Sequence, residues 1–277
     1  MMIIDIIYAV ILGVVEGITE WLPISSTAHI LIIEKAFYSL ENPPSFSKDF
    51  LLLFDVLVQL GAILAVTVTY FQKLYPFKYN DNEYKKKDKL NIWVKIVISS
   101  IPVVLIGFLF DDWITEKFYN LPTIAFTLIF YGIIFIFIEN KIKKNLIEDV
   151  NKITNKKAFS IGLFQVLALI PGTSRSGITI IGGRVVGCDK TSSTEYSFLL
   201  SVPIMFGVSI YKLLKYVFTF KIILKEVIIL MIAMFVAMLT SLIVIKKLLN
   251  YLKTHDFKLF GIYRICLGII ILILCFI

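Results

Sequence analysis

The sequence predicts an all-α polytopic membrane protein that forms a single domain over residues 1–277. The chain is 58% hydrophobic, whereas a soluble domain is roughly 45–50% apolar, and its mean hydropathy is +0.87. The apolar residues also form long segments that approach the ~18–20 residues needed to cross a bilayer. These two observations exclude an ordinary soluble fold.

Six apolar segments are clean spanning candidates, and we predict that each crosses the membrane as one helix. These predicted spans are residues 50–71, 92–110, 122–138, 196–214, 227–245 and 259–277.

Two further apolar regions, residues 3–33 and 159–186, are interrupted by polar residues, proline and glycine. Proline and glycine stop a helix. In hydrocarbon, the freed backbone groups must be buried in protein or face a water-filled cavity. We therefore predict that each region is a re-entrant helical hairpin, which enters the membrane partway and returns to its own side.

Loop charges indicate the orientation of the spans. The loops after the first, third and fifth predicted spans are rich in lysine, whereas the loop after the second carries Asp111, Asp112 and Glu116 against Lys117. Basic loops favour the cytoplasm, so the first hairpin is expected to enter from outside and the second from the cytoplasm. The loop at 215–226, which contains three lysines, is a mild exception.

The predicted order is one hairpin and three spans, followed by the same again. Three spans reverse the sidedness, so the two halves form an inverted-topology repeat, with repeat 1 at about residues 1–140 and repeat 2 at about 158–277. A short match of residues 21–26 with residues 169–174 is consistent with this repeat. Inverted repeats with broken helices place their site near the membrane midplane.

Two carboxylates mark the first hairpin. Glu16 and Glu20 are four residues apart and share one helix face, and a carboxylate in a bilayer is a functional candidate by default. The two repel each other unless a divalent cation, Arg175 or a shared proton lies between them. Pairing with arginine for packing alone is the alternative.

A cluster of hydroxyl groups follows these carboxylates. Pro23 is predicted to end the first helix, and Ser25, Ser26 and Thr27 then stand where a new helix begins and where exposed N–H groups bind anions. His29, three residues after Ser26, suits proton transfer beside these hydroxyls. A structural hydrogen bond is the alternative for His29, and these residues alone leave open whether Ser25 or Ser26 is the nucleophile.

The second hairpin carries the motif PGTSRSG at residues 171–177. Its glycines let the backbone approach a ligand and its hydroxyls donate to oxygen, while the fork of Arg175 matches a phosphate. An ion pair from Arg175 to Glu16 or Glu20 is the alternative, and it is compatible with phosphate binding. The candidate phosphate ligands of this motif are Gly172, Thr173, Ser174 and Ser176.

The remaining basic residues are attributed to topology. The net charge of +8 lies largely on lysines in short loops, so nucleic acid is not an expected partner. Arg264, near a basic loop, is interpreted as a snorkelling or lipid-facing cation.

These residues resemble the bacterial undecaprenyl-diphosphate phosphatase family, also known as bacitracin-resistance proteins. The resemblance covers nearly the whole chain and is densest at residues 16–29 (EGITEWLPISSTAH) and 171–177. Residues 59–61 (QLG) and 195–203 (EYSFLLSVP) also match. Ala28 stands where many family members have glycine, a change that affects no catalytic group.

The resemblance implies hydrolysis of undecaprenyl diphosphate to undecaprenyl phosphate and inorganic phosphate. This reaction recycles the lipid carrier for peptidoglycan synthesis and confers bacitracin resistance. The resemblance also implies a bacterial plasma membrane protein whose site opens to the outer face. It makes Ser26 the nucleophile, His29 the acid/base group, Arg175 the phosphate ligand, and Glu16 and Glu20 the ligands of Mg²⁺ or Ca²⁺.

Several alternatives stay open at this stage. A water molecule activated by the cation competes with Ser26 as the nucleophile. The same architecture suits a transporter of a lipid phosphate or an inorganic anion, or a hydrolase that also flips its lipid product. A structural membrane subunit would leave the intramembrane charges unexplained. The expected partners are a polyprenyl diphosphate and membrane lipids, and a homodimer is one open oligomeric state.

Overall fold

A computed structural model describes residues 2–77, 83–141, 146–220 and 223–275. These residues are helical and contain no β-strand, which confirms the all-α class. The α-helices of the described chain are α1 (Met2–Thr19), α2 (Ser26–Tyr38), α3 (Lys48–Thr69), α4 (Phe71–Leu74), α5 (Glu83–Phe118), α6 (Leu121–Lys141), α7 (Asn155–Val166), α8 (Arg175–Val185), α9 (Lys190–Thr219), α10 (Leu224–Leu252) and α11 (Lys258–Leu274).

Five of the described helices are long and apolar enough to cross a membrane, so the chain is a multi-pass membrane protein. Each coincides with a predicted span. The sixth predicted span, residues 259–277, corresponds to α11, which has 17 residues. The last two positions of the predicted span lie outside the described residues. That α11 crosses the membrane stays a prediction. Residues 78–82 and 142–145, in two predicted basic loops, also lie outside them. The spanning segments are Asp49–Thr69, Glu83–Phe110, Leu121–Lys141, Lys190–Thr219 and Leu224–Leu252.

Both interrupted regions contain two helices joined by a turn. Helix α1 ends at Thr19 and α2 begins at Ser26. The prediction that Pro23 ends the first helix is therefore wrong in position, because the chain has already left the helix when it reaches the residue before proline, where helical geometry is disfavoured. In the second region, α7 is followed by a 3₁₀ segment at Leu167–Leu169 before α8. The depth to which either region enters the membrane stays a prediction.

The chain divides into two compact units. Unit 1 comprises Met1–Trp21, Ser26–Thr69 and Ser201–Lys246. Unit 2 comprises Leu22–Ser25, Tyr70–Leu200 and Lys247–Ile277. Each unit therefore contains segments from both predicted halves.

In unit 1, α1 packs against α10 through its glycines. A Cβ atom added at Gly17 would lie 2.7 Å from both the carbonyl oxygen of Ala237 and Cβ of Thr240. The Oγ of Ser241 donates to the carbonyl oxygen of Gly17 at 3.3 Å. The first arm of the first hairpin therefore lies directly against the backbone of α10.

In unit 2, α7 packs against α5 in the same manner. Gly162 faces the backbone of Ser99, and the Oγ of Ser99 donates to the carbonyl oxygen of Ala158 at 2.7 Å. Helices α6 and α11 meet at Gly132 and Gly261, where a Cβ added to either glycine would lie 2.7 Å from the carbonyl oxygen of the other.

These contacts follow a reciprocal pattern. The first hairpin packs on α10, which is the second predicted span of the second half, and the second hairpin packs on α5, which is the second span of the first half. The contact between α6 and α11, which correspond to the last predicted spans of the two predicted halves, is itself reciprocal. A two-fold relation between the halves would produce this exchange, although the repeat boundaries stay a prediction.

The Gly132 contact predicts a measurable stability difference. Gly132→Ala places a methyl group against the backbone of Gly261 and is expected to destabilise the protein by about 1–3 kcal/mol through overpacking. Gly207→Ala is the matched control, since a Cβ at Gly207 in α9 meets nothing within 4 Å. Alanine is also more favourable than glycine inside a helix by about 1 kcal/mol. Thermal unfolding in detergent should therefore shift down for the first variant and not for the second. Equal melting temperatures for the two variants would contradict the close crossing.

Candidate functional site

The two carboxylates of the first motif are buried in unit 1. Glu16 lies in α1 with no exposed surface, and Glu20, one residue beyond the helix, is 5% exposed. The N–H of Glu20 donates to the carbonyl oxygen of Glu16 at 3.0 Å, which continues the helical pattern for one more residue. Both predicted carboxylates are thus held on one side of α1, within the protein.

Ser26 is hydrogen-bonded to one of these carboxylates. It is the first residue of α2, and its Oγ donates a hydrogen bond to Oε2 of Glu20 at 2.8 Å. A hydroxyl group bonded to a carboxylate at this distance can lose its proton to that carboxylate. Thr27 and His29 are half-buried on the same helix, and His29 shares a face with Ser26 because the two are three positions apart.

A strained serine precedes the second helix of each hairpin. Ser25, before α2, has φ 74°, and Ser174, before α8, has φ 69°. A positive φ is uncommon for a residue other than glycine and often marks a functional site. By local conformation Ser25 corresponds to Ser174, so the sequence match that paired Ser26 with Ser174 is out of register by one residue.

The turn before α8 is held by α6. Gly172 has φ 83°, and a Cβ there would lie 2.8 Å from Cα of Ile124. The Oγ1 of Thr127 donates to the carbonyl oxygen of Pro171 at 2.9 Å. Thr173 is 1% exposed. Glycine is therefore required at 172 both for its backbone conformation and for space.

Three predicted phosphate ligands cluster at the start of α8. The Oγ of Ser174 accepts from the N–H of Gly177 at 3.1 Å, as an N-cap does, and lies 3.3 Å from the Oγ of Ser176. Arg175 donates from Nη1 to the carbonyl oxygen of Ser197 in α9 at 3.0 Å. A helix start that carries hydroxyl groups and a guanidinium is suited to binding an anion.

The turns of the two motifs lie side by side within unit 2. The Oγ of Ser176 is 3.5 Å from the carbonyl oxygen of Leu22. Arg264 donates from Nη1 to the carbonyl oxygen of Pro23 at 3.2 Å and from Nη2 to that of Gly172 at 3.0 Å. Residues 22–25 and 171–176 therefore form one local structure.

Arg264 corrects the sequence-based interpretation. It has no exposed surface and bonds to backbone in the interior, so the interpretation as a snorkelling or lipid-facing cation is wrong. The position of Arg264 near a basic loop does not show that its side chain faces lipid. A better signal was its position within an apolar segment, where an ionisable side chain is normally functional.

The donor set of the first motif fits a divalent cation of the magnesium type. Glu16 and Glu20 offer carboxylate oxygens, and Mg²⁺ is commonly bound by one or two carboxylates together with water and substrate phosphates. The described part of the chain contains no group of three or more histidine, cysteine, aspartate or glutamate side chains arranged to hold a metal. A cation at Glu16 and Glu20 would therefore take its other ligands from groups such as water and substrate phosphate oxygens, which Mg²⁺ commonly keeps.

Comparison with known proteins identifies the family. The family model described as bacitracin resistance protein BacA matches residues 9–270. This chain belongs to the BacA family.

Several curated relatives of this BacA-family chain are named undecaprenyl-diphosphatase. The relative from Acetivibrio thermocellus is 47% identical over 271 residues, covering 97% of both chains. The relative from Lachnoclostridium phytofermentans is 48% identical over 271 residues, covering 97% of this chain and 96% of its own. The relative from Streptococcus mutans is 45% identical over 275 residues, covering 98% and 96% respectively.

In this BacA-family chain, the cap at Ser174 predicts that two substitutions will differ in stability. Ser174→Ala loses the N-cap and keeps the unfavourable φ, with an expected cost of about 1 kcal/mol. Ser174→Gly also loses the hydroxyl group, but glycine tolerates a positive φ, so the expected loss of stability is only about 0.3 kcal/mol. Thermal unfolding in detergent should rank wild type first, Gly second and Ala last. An alanine variant as stable as the glycine variant would argue against the strained cap.

Proposed function

We propose that this BacA-family chain is an undecaprenyl-diphosphate phosphatase, which releases inorganic phosphate and leaves undecaprenyl phosphate. The observation that carries the proposal is the 2.8 Å hydrogen bond from Ser26 to buried Glu20, because it pairs a nucleophile with a base. The relatives named undecaprenyl-diphosphatase support the identity of the substrate.

The reaction begins with proton transfer from Ser26. The Oγ of Ser26 attacks the terminal phosphorus as its proton passes to Glu20, and the bond from that phosphorus to the bridging oxygen breaks. Undecaprenyl phosphate leaves, and Ser26 carries the phosphoryl group. Water then attacks the phosphoserine and gives a proton to His29, while the bond from phosphorus to Oγ breaks and Glu20 returns its proton to Oγ, which restores Ser26 and releases inorganic phosphate. His29, on the same face of α2, is the second acid/base group.

The groups proposed to recognise phosphate lie around the start of α8. The Arg175 guanidinium, held by the carbonyl group of Ser197, would pair with phosphate oxygens that gain charge in the transition state. Hydroxyl and backbone groups near the start of α8 would complete the cradle. The proposed neighbours of the phosphate are Ser25, Thr27, Gly172, Thr173, Ser174 and Ser176.

A divalent cation belongs to this proposal. Glu16 and Glu20 would hold Mg²⁺ or Ca²⁺, which when bound supplies positive charge that neutralises the phosphate oxygens.

The proposal also includes the placement of the chain in the membrane. We infer six spans, with α11 as the sixth, and two re-entrant hairpins of opposite sidedness in a bacterial plasma membrane. The site would open to the outer face, where the reaction recycles the carrier lipid. The reciprocal helix contacts described above support the inverted repeat. They also keep transport of a lipid phosphate as a second candidate.

Phosphate release tests the proposed activity directly. Purified protein in detergent, given undecaprenyl diphosphate and Mg²⁺, should release inorganic phosphate, because all the reacting groups belong to this chain. Excess EDTA should abolish the release, and added Mg²⁺ or Ca²⁺ should restore it. Absence of release under all conditions would make transport the better explanation, whereas EDTA-resistant release would remove the cation alone from the proposal.

Substitution of the adjacent serines tests the covalent route. Ser26→Ala removes the hydroxyl group bonded to Glu20 and should lower kcat by roughly 10²-fold or more, because the variant lacks the attacking oxygen. Ser25→Gly is the matched control, since it removes the neighbouring hydroxyl group and glycine tolerates the φ of 74° at this position. The decrease in kcat should be much smaller for Ser25→Gly than for Ser26→Ala.

Rapid quenching completes this test. With substrate radiolabelled in the terminal phosphate, label should be trapped on wild-type protein and not on Ser26→Ala. If Ser26→Ala keeps good activity and no label is trapped under any quench, direct attack by water replaces the phosphoserine route.

A further inference from the structure

Arg264 is a cation buried completely in unit 2. It lies near the middle of α11 with none of its surface exposed. A charge in the protein interior is costly unless hydrogen bonds or an opposite charge offset the lost hydration. Its partners therefore show what the residue is for.

The partners of Arg264 are backbone carbonyl groups. Nη2 donates to the carbonyl oxygens of Gly172 and Thr173, each at 3.0 Å, and approaches that of Thr127 at 3.4 Å. Nη1 donates to the carbonyl oxygen of Pro23 at 3.2 Å. Among the ion pairs of the described residues, none joins Arg264 to a carboxylate.

Arginine suits this arrangement better than lysine. The planar guanidinium has five donors in a rigid fork, whereas an ammonium group is a compact point charge with three donors on a flexible stem. Only the fork spans the turn at Pro23 and the turn at Gly172–Thr173 at the same time. The structure thus uses the shape of the side chain as well as its charge.

The turn that Arg264 holds is strained. Ser174 has a positive φ, and for a residue other than glycine such a conformation persists only when the surroundings enforce it. The peptide group is planar and trans. Fixing the carbonyl group of Thr173 therefore directs the N–H of Ser174, at the start of α8, away from Arg264. Arg175 follows immediately in the chain.

We propose that Arg264 is a positioning residue for the phosphate cradle. It touches neither substrate nor cation. It holds the turns at Pro23 and Gly172–Thr173 together, and so sets the direction of Ser174 and Arg175 at the start of α8. This inference rests on the proposed phosphatase function, because it assigns to α8 the recognition of phosphate.

Arg264→Lys tests the inference while keeping the charge. In full-length protein in detergent, we expect a folded variant whose kcat is lower by about 10- to 100-fold, the usual effect of a small misplacement of catalytic groups. The KM for undecaprenyl diphosphate should change less, because contacts with the lipid tail remain.

Arg184→Lys is the matched control. Arg184 is also buried in unit 2, but it binds Oε1 of Glu139 at 3.0 Å and the carbonyl oxygen of Cys188 at 2.8 Å, far along α8 from the turn. Arg184→Lys should lower the melting temperature and leave kcat nearly unchanged. An Arg264→Lys variant with wild-type kcat would show that charge suffices and would overturn the inference. Equal losses of kcat in the two variants would reduce Arg264 to a general stabilising role and also overturn it.

Binding of inorganic phosphate gives a readout that needs no turnover. Titration calorimetry with inorganic phosphate in the presence of Mg²⁺ should show weaker binding for Arg264→Lys than for wild type and Arg184→Lys. A wild-type protein that binds phosphate but releases none from the lipid would overturn the proposed activity alone. Unchanged phosphate affinity in Arg264→Lys would overturn the positioning role.

A second variant covers the case in which Arg264→Lys does not fold. Thr127→Val removes the hydroxyl bond to the carbonyl group of Pro171 and leaves Arg264 in place, so it loosens the same turn more gently. It should lower kcat and phosphate affinity in the same direction by a smaller factor. A folded Thr127→Val protein with unchanged kcat and phosphate affinity would overturn the inference.

Discussion

A turn inside a protein interior leaves backbone carbonyl groups that need donors, and in unit 2 Arg264 and Thr127 supply several of them. Arg264 binds the carbonyl groups of Pro23, Gly172 and Thr173, and the hydroxyl group of Thr127 binds that of Pro171. The need is mutual, because a buried guanidinium without a carboxylate also requires several acceptors. The broken segments and the buried cation therefore stabilise each other.

This arrangement depends on how closely the helices approach. Gly132 and Gly261 let the backbones of α6 and α11 come into contact, and these two helices carry Thr127 and Arg264. In unit 1, Gly17 has the same role between α1 and α10, where Glu16 and Glu20 are buried. Small residues at helix contacts thus place the polar groups at both motifs, as is common in membrane proteins.

Each unit has its own set of polar groups. Unit 1 pairs Ser26 with Glu20 and so supplies a nucleophile with a proton acceptor. Unit 2 presents Ser174 and Arg175 at the start of a helix, where an anion is favoured. The positive φ of Ser174 shows that this helix start is held in a conformation that serine does not favour by itself, which is typical of functional sites.

Sequence by itself determined the membrane class, five spans, both interrupted regions and the candidate residues of both motifs. These follow from local properties. Hydropathy shows which segments are apolar enough to lie in lipid. An apolar pattern is interrupted locally by proline, glycine or a carboxylate, as at Pro23, Gly172 and Glu16. Only the tertiary structure decided which neighbours those residues meet. The bond from Ser26 to Glu20, the local correspondence of Ser25 with Ser174, and the burial of Arg264 depend on turns and on helix contacts distant in sequence. Arg264 is the clearest case: its position in an apolar segment marks it as unusual, but its partners lie 91 or more positions away in the chain, so only the tertiary structure shows which turns it joins.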